Sequence, residues 1–259
     1  MNFFHAIILG IIEGVTEFLP ISSTGHLILA SKILRLASTD FLKSFEIGIQ
    51  LGAILAVVVI YWRSFFVKFE ILKKVIVAFL PTAALGLIFY KVIKQFLLGS
   101  EQVVLWALFL GGVFLIIFEI FYREKQGAVE EIEKISWREA FTIGLFQSVA
   151  MIPGVSRAAA TIIGGLILGL KRKTIVEFSF LLAVPTMAAA TGLDLISSGG
   201  RFSPDEFGLL AVGFIFSFIT ALCAIKFFLK FIKNHSFIIF GVYRIILAGA
   251  GWIFFAFLL

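Results

Sequence analysis

Residues Glu13–His26 read EGVTEFLPISSTGH, and residues Gln147–Thr161 read QSVAMIPGVSRAAAT. Both are polar interruptions of a chain that is otherwise apolar: 61% of its 259 residues are hydrophobic, 32 of them Phe, only 15% are charged, and the mean hydropathy is +1.09. That composition excludes an ordinary soluble domain and identifies a polytopic membrane protein. Polar groups left in hydrocarbon are costly, so clusters of carboxylate, hydroxyl and guanidinium at membrane depth need a reason. The two interruptions are therefore read as one candidate active site.

Apolar runs near the roughly 20 residues that span a bilayer occur at about Phe45–Trp62, Val75–Tyr90, Val103–Tyr122, Ile175–Ile196, Phe207–Phe228 and Phe237–Phe257. These predict six transmembrane helices. The polar stretches belong to none of them. Pro20 should end a helix begun near Asn2, and the piece from His26 to Leu36 is too short to cross, as is the matching region around Pro153 and Gly154. Each is read as the tip of a re-entrant helical hairpin, tolerated at that depth only when protein or a water-filled cavity surrounds it. The fold expected is an all-α integral membrane domain made of two repeats, about 1–122 and 138–259, joined by a cytoplasmic loop.

Gly10–Pro20, GIIEGVTEFLP, resembles Gly144–Pro153, GLFQSVAMIP, and each is followed by hydroxyl residues and then by a helix carrying Glu46 or Glu177. A hairpin returns to its own side whereas three crossings change sides, so the second repeat is expected upside down, with both tips meeting near the midplane. Lys32, Arg35, Lys43, Lys91, Lys94 and Arg201 fall on the side of the N-terminus. Fourteen basic residues fall on the other, namely Arg63, Lys68, Lys73, Lys74, Arg123, Lys125, Lys134, Arg138, Lys171, Arg172, Lys173, Lys226, Lys230 and Lys233. The excess of positive charge places that second side in the cytoplasm and both termini outside. The same distribution, flanking spans rather than forming a stripe, argues against nucleic acid despite a net charge of +6. The start of the chain lacks a basic n-region and carries Glu13 and Glu17, so it is read as retained structure rather than a signal peptide. The lone Cys223 excludes an intrachain disulfide.

Glu13 and Glu17 are four apart and project from one helix face, where two buried carboxylates call for a cavity, a cation or a proton relay. Ser22, Ser23 and Thr24 follow Pro20 and can cap a new helix whose free N–H groups bind anions. His26 adds a group that titrates near neutrality. From the second stretch, Gly154, Ser156, Arg157 and Thr161 supply a helix start, hydroxyls and a planar guanidinium suited to phosphate oxygens. Phosphate held by these groups, with a divalent cation on the paired carboxylates, makes phosphoryl transfer the natural reaction class. Arg244, inside the last run, is expected to pair with an intramembrane acid. Glu46, Glu177 and Gln50 are read as helix-pairing residues or as supports for the hairpins, and His5 and His235 as incidental.

The strings EGVTEFLPISSTGH and PGVSRAAAT, with SFEIGIQLGAILAVV from Ser44 and EFSFLLAVPTM from Glu177, resemble the undecaprenyl-pyrophosphate phosphatase family of the bacitracin-resistance type over essentially the whole chain. The resemblance implies hydrolysis of undecaprenyl pyrophosphate to the monophosphate and inorganic phosphate at the outer face of the bacterial cell membrane, recycling the carrier lipid for wall synthesis. It carries the family's acidic motif onto Glu13 and Glu17, its serine and histidine onto Ser23 and His26, and its second motif onto Ser156, Arg157 and Thr161. One departure is visible: Ala158 and Ala159 stand where the family continues Ser-Gly, so a hydroxyl contact to phosphate is expected to be absent.

The expected catalytic set is Glu13, Glu17, Ser23, His26 and Arg157. Ser22, Thr24, Gly154, Ser156 and Thr161 would bind substrate, and Mg²⁺ or Ca²⁺ would sit on Glu13 and Glu17. Ser23 or His26 attacks phosphorus, or His26 activates a water, and the residues alone leave these open, with a preference for Ser23 attacking and His26 as acid or base. The rival reading, from another class, is a secondary transporter or lipid flippase on the same inverted repeat, which has no special need for His26 beside Ser23. A homodimer is left open.

Overall fold

A computed structural model describes residues 1–92, 100–197 and 203–258 of the chain. Among them, regular structure is helical apart from one bridge between Val129 and Leu170. The helices are α1 (Phe3–Thr16), α2 (Ser23–Ile33), α3 (Asp40–Ile60), α4 (Trp62–Phe66), α5 (Phe69–Val92), α6 (Glu101–Phe121), α7 (Trp137–Ser148), α8 (Arg157–Leu168), α9 (Arg172–Ser197), α10 (Pro204–Phe231) and α11 (Ile238–Leu258). Six are long and apolar enough to cross a membrane, over Asp40–Ile60, Phe69–Phe89, Glu101–Phe121, Arg172–Leu193, Pro204–Phe231 and Ile238–Phe257. They are the six runs expected from hydropathy. Several start earlier than the apolar run because caps set helix ends. Thr39 accepts from the Leu42 amide at 3.1 Å before α3, and Ser203 and Glu206 form a capping box before α10.

The two polar stretches interrupt pairs of short helices. At 14, 11, 12 and 12 residues, α1, α2, α7 and α8 reach only about 16–21 Å at 1.5 Å per residue, less than the ~30 Å hydrocarbon core. The sequence expectation that helix one runs to Pro20 is corrected: α1 ends at Thr16, and a turn occupies 17–21. Helix pairing is exchanged between halves. The first short helix, α1, packs on α10 of the second half, and α7 packs on α5 of the first; α3 lies on α10 and α9 on α5, while α3 meets α9 and α6 meets α11. Swapping the halves reproduces that list.

Glycine makes the closest of these approaches. A Cβ at Gly10 would strike the Gly213 carbonyl oxygen of α10, and one at Gly144 would strike that of Ala78 in α5. These are the two glycines aligned by the internal repeat. Small residues at helix crossings let backbones approach where lipid supplies no hydrophobic drive between helices. The main core joins Phe18 of the first break to Phe180 of α9, ring centroids 5.2 Å apart, with Ala158, Ile162, Phe178, Ala221 and Phe228 around them.

Charged residues gather at helix ends. Lys32 pairs with Glu101 at 2.7 Å, while Lys68–Glu133, Lys171–Glu130 and Arg172–Glu119 pair at 2.5 to 2.6 Å around the segment between α6 and α7. Of the basic residues counted for topology, Lys94 and Arg201 lie outside the described residues, as does the side chain of Lys91. Gly144→Val should force α7 away from α5, costing about 1–3 kcal/mol or more as an overpacked core position does, read as a lowered thermal midpoint in detergent.

Candidate functional site

Both breaks end in a serine held in a conformation that L-residues avoid. Ser22 has φ +68° and ψ 94°, and Ser156 has φ +75° and ψ 113°. Each caps the following helix: Ser22 Oγ accepts from the Gly25 amide at 3.3 Å, and Ser156 Oγ accepts from the Ala159 amide at 3.2 Å. Such backbone costs roughly 1–3 kcal/mol per residue and persists only where surrounding structure over-determines it. Gly154, at φ +94°, is needed for a further reason: a Cβ there would lie 2.6 Å from the Val104 carbonyl oxygen.

What holds the breaks is Arg244 of α11, the largest fully buried side chain among those described. The expectation that it pairs with an acid is overturned, because all five of its N–H donors meet backbone carbonyls. Nη1 donates to Pro20 at 3.3 Å and Val155 at 2.9 Å, and Nη2 to Gly154 at 3.0 Å and Ala107 at 2.9 Å, while Nε donates to Leu108 at 3.3 Å. A break at membrane depth leaves carbonyls without helix partners, and a guanidinium is the side chain with enough donors to take several at once. One residue thus joins both breaks to α6.

Between the breaks lies a second cross-link, made by side chains of Ser23, Glu17 and Arg157. Ser23 Oγ donates a hydrogen bond to Glu17 Oε2. The other oxygen of that carboxylate, Oε1, accepts from Arg157 Nε at 3.4 Å and Nη2 at 3.3 Å. Arg157 Nη1 donates to the Ser179 carbonyl at 2.7 Å, and Ser179 Oγ meets Thr161 Oγ1 at 2.6 Å. Glu17 and Arg157 are nearly buried, with side-chain exposures of 6% and 10%, so their charges attract in a low dielectric. A cavity of about 240 Å³ opens onto this cluster, its charged and hydroxyl wall formed by Glu17, Ser22, Ser23, Thr24, Ser156 and Arg157. Gly154 lines it too.

Three expected site residues stand elsewhere. His26 is not among the lining residues. Its Nδ1 lies 2.7 Å from the Ser22 carbonyl and its Nε2 2.7 Å from Tyr243 Oη. Thr161 is fully buried and donates to the Arg157 and Ala158 carbonyls, so it supports Arg157 from behind. Glu13 lies one turn before Glu17, fully buried, with no donor among the described residues to either carboxylate oxygen. A buried carboxylate without a partner demands a proton or a cation. Two carboxylates are also what magnesium usually takes from protein when substrate phosphate supplies further oxygens. Glu13 and Glu17 therefore fit such an ion, although no group of three or more acidic, His or Cys side chains gathers among the described residues. Ala158 is packed in the core and Ala159 is buried, so the departure from the family pattern falls on side chains away from the cavity.

Sequence reasoning missed the neutral wall. Gln147 Nε2 donates to Thr82 Oγ1 at 2.9 Å and to Thr186 Oγ1 at 3.1 Å, and all three line the cavity with Gln50, Met151 and Met187. The signal was present: Pro81-Thr82 and Pro185-Thr186 are matching proline–threonine steps inside α5 and α9. Ser179 and Tyr243 had no such mark. Glu46, weighed above as a hairpin support, accepts from Ser31 Oγ of α2 at 2.7 Å, whereas Glu177 of α9 lies 3.9 Å from Lys173 of its own helix and hydrogen-bonds Tyr61 at the end of α3.

Residues 6–250 match the family model described as bacitracin resistance protein BacA. The chain is 56% identical over 247 residues to the undecaprenyl-diphosphatase of Aquifex aeolicus, covering 95% of this chain and 96% of that protein. It is 51% identical over the full length of both chains to the undecaprenyl-diphosphatase of Persephonella marina. With the Campylobacter jejuni strain 81-176 undecaprenyl-diphosphatase it shares 49% identity over 98% of this chain and 94% of the relative. Arg244→Met would strand several buried carbonyls and should cost at least about 3 kcal/mol, seen as a lowered thermal midpoint in detergent. Arg244→Lys, with three donors at one point, should recover only part of the loss.

Proposed function

This chain belongs to the bacitracin resistance protein BacA family, and we propose that it hydrolyses undecaprenyl pyrophosphate to undecaprenyl phosphate and inorganic phosphate. It thereby returns a carrier lipid to wall synthesis and confers bacitracin resistance. The observation that carries this reading is the Ser23–Glu17–Arg157 chain on the cavity wall, a hydroxyl with a base and a phosphate-binding cation beside it. Nothing in a transporter or flippase calls for a serine so paired.

In this mechanism the prenyl chain stays in lipid while the pyrophosphate enters the cavity. Arg157 keeps an Nη2 donor beyond its bond to Glu17 and directs it at phosphate oxygens, aided by Ser22, Thr24, Ser156 and the amides at the starts of α2 and α8. Ser23 Oγ attacks the terminal phosphorus in line, its proton passes to Glu17 Oε2, and the bond to the bridging oxygen breaks to release undecaprenyl phosphate. Water then attacks the phosphoserine, Ser23 recovers a proton and inorganic phosphate leaves. Glu13 and Glu17 would hold a divalent cation, Mg²⁺ or Ca²⁺, which when bound neutralises charge on the pyrophosphate. Glu17 is the stronger assignment as base, because it is the group hydrogen-bonded to the nucleophile.

The layout that goes with this reading is an inverted repeat, about 1–122 and 138–259, whose two breaks are re-entrant tips facing each other. Its support is the exchanged helix pairing and the matched serine caps. The excess of Lys and Arg on one side supports an orientation in the bacterial cell membrane with both termini and the cavity toward the outside.

Purified protein in detergent should release inorganic phosphate from undecaprenyl pyrophosphate, and a chelator should suppress the release. Ser23→Ala should lower kcat by more than about a thousandfold with a thermal midpoint near that of the parent, and Glu17→Gln should lower kcat by about 10²–10⁴ together with the midpoint, because it leaves the buried Arg157 without its carboxylate. Full activity in Ser23→Ala would exclude the covalent route.

A further inference from the structure

We propose that His26 serves this reaction as a positioning residue rather than as its acid or base, and that Tyr243 is the partner that fixes it. The inference rests on Ser23 being the nucleophile. A carbonyl oxygen only accepts, so the ring nitrogen 2.7 Å from the Ser22 carbonyl, Nδ1, carries the proton. In the neutral ring Nε2 is then an acceptor, and it takes the Tyr243 hydroxyl at 2.7 Å. The two rings lie nearly parallel, 5° apart with centroids at 5.5 Å. Both nitrogens are engaged, and the ring is not on the cavity wall that Ser22, Ser23 and Thr24 form.

The bond to Ser22 acts on the nucleophile through one peptide. The carbonyl that His26 holds belongs to the Ser22–Ser23 peptide, whose other end is the Ser23 amide and Cα. That peptide leaves a residue at φ +68°, and its carbonyl is held twice, by the His26 ring and by the His26 amide at 3.3 Å. Strained backbone needs such bracing to stay in one place. Two neighbours on α11 brace the same break from its two ends: Arg244 takes the Pro20 carbonyl, and Tyr243 fixes His26.

The second break supplies an internal comparison. Its strained serine, Ser156, also caps a helix, and its carbonyl accepts from the amide four residues on, but that residue is Ala160. Among the described residues, the break that presents arginine has no ring brace, whereas the break that presents the serine nucleophile has one. A brace confined to the reacting hydroxyl is what alignment for in-line attack requires.

The test is steady-state kinetics of the full-length enzyme in detergent with undecaprenyl pyrophosphate, comparing His26→Asn, His26→Ala, Tyr243→Phe and the double variant Tyr243→Phe/His26→Ala. An asparagine amide nitrogen stands where Nδ1 stands and keeps the bond to Ser22, but it does not exchange protons near neutral pH. His26→Asn should stay within about tenfold of the parent kcat, the scale of one altered hydrogen bond. His26→Ala should fall by about a hundredfold or more in kcat with KM little changed, and Tyr243→Phe by about three- to tenfold. Adding Tyr243→Phe to His26→Ala should do nothing further, because Tyr243 acts through the ring.

His26→Asn as inactive as His26→Ala, at the 10²–10⁴-fold loss of a general acid or base, would overturn the proposal. So would an equal Tyr243→Phe loss with and without His26. Where His26→Asn proves unfolded by its thermal midpoint, the Tyr243 cycle decides alone. Ser23→Ala run alongside separates the readings: an active Ser23→Ala removes the nucleophile assignment, whereas an inactive one with an inactive His26→Asn removes only the positioning role.

Discussion

Five backbone carbonyls converge on the guanidinium of Arg244, and the rest of the site depends on that convergence. Breaking a helix at membrane depth strands carbonyl groups that neither lipid nor a neighbouring turn can satisfy. Arg244 takes Pro20 from one break, Gly154 and Val155 from the other, and Ala107 and Leu108 from α6. A carboxylate partner would have used the same donors to neutralise charge. Carbonyl dipoles use them to fix the place of two strained loops.

Once the breaks are tied together, their side chains divide the work. Glu17 and Ser23 come from the first, Arg157 from the second, and Ser179 of α9 holds the arginine's far side. The cavity has a charged and hydroxyl wall and a neutral wall, the latter built on Gln147, Thr82 and Thr186. Gln147 aligns with Glu13 in the internal repeat and Met151 with Glu17. The two halves differ in charge here: the first carries Glu13 and Glu17, the second Arg157.

The helix pairing explains how two weakly similar halves build one site. Neither pair of short helices packs mainly within its own half: α1 rests on α10 and α7 on α5, through glycine contacts that leave no room for a side chain. Each half completes the other. Thr82 of α5 and Thr186 of α9, each following a proline, line the cavity, where their hydroxyls meet Gln147.

Hydropathy was enough to locate six helices long and apolar enough to cross a membrane, and the two polar strings marked Glu17, Ser23 and Arg157, which the fold brings onto one cavity wall. These follow from local composition, since lipid tolerates charge only where function or burial requires it. Which group faces which is a different kind of fact. That Ser23 donates to Glu17 and not to His26, that His26 turns to Tyr243 across 217 positions, that Thr161 stands behind Arg157, and that Arg244 binds carbonyls were decided by tertiary structure. Hydrogen-bond partners are set by distance and direction in space, and a residue type carries its donors and acceptors without carrying their targets.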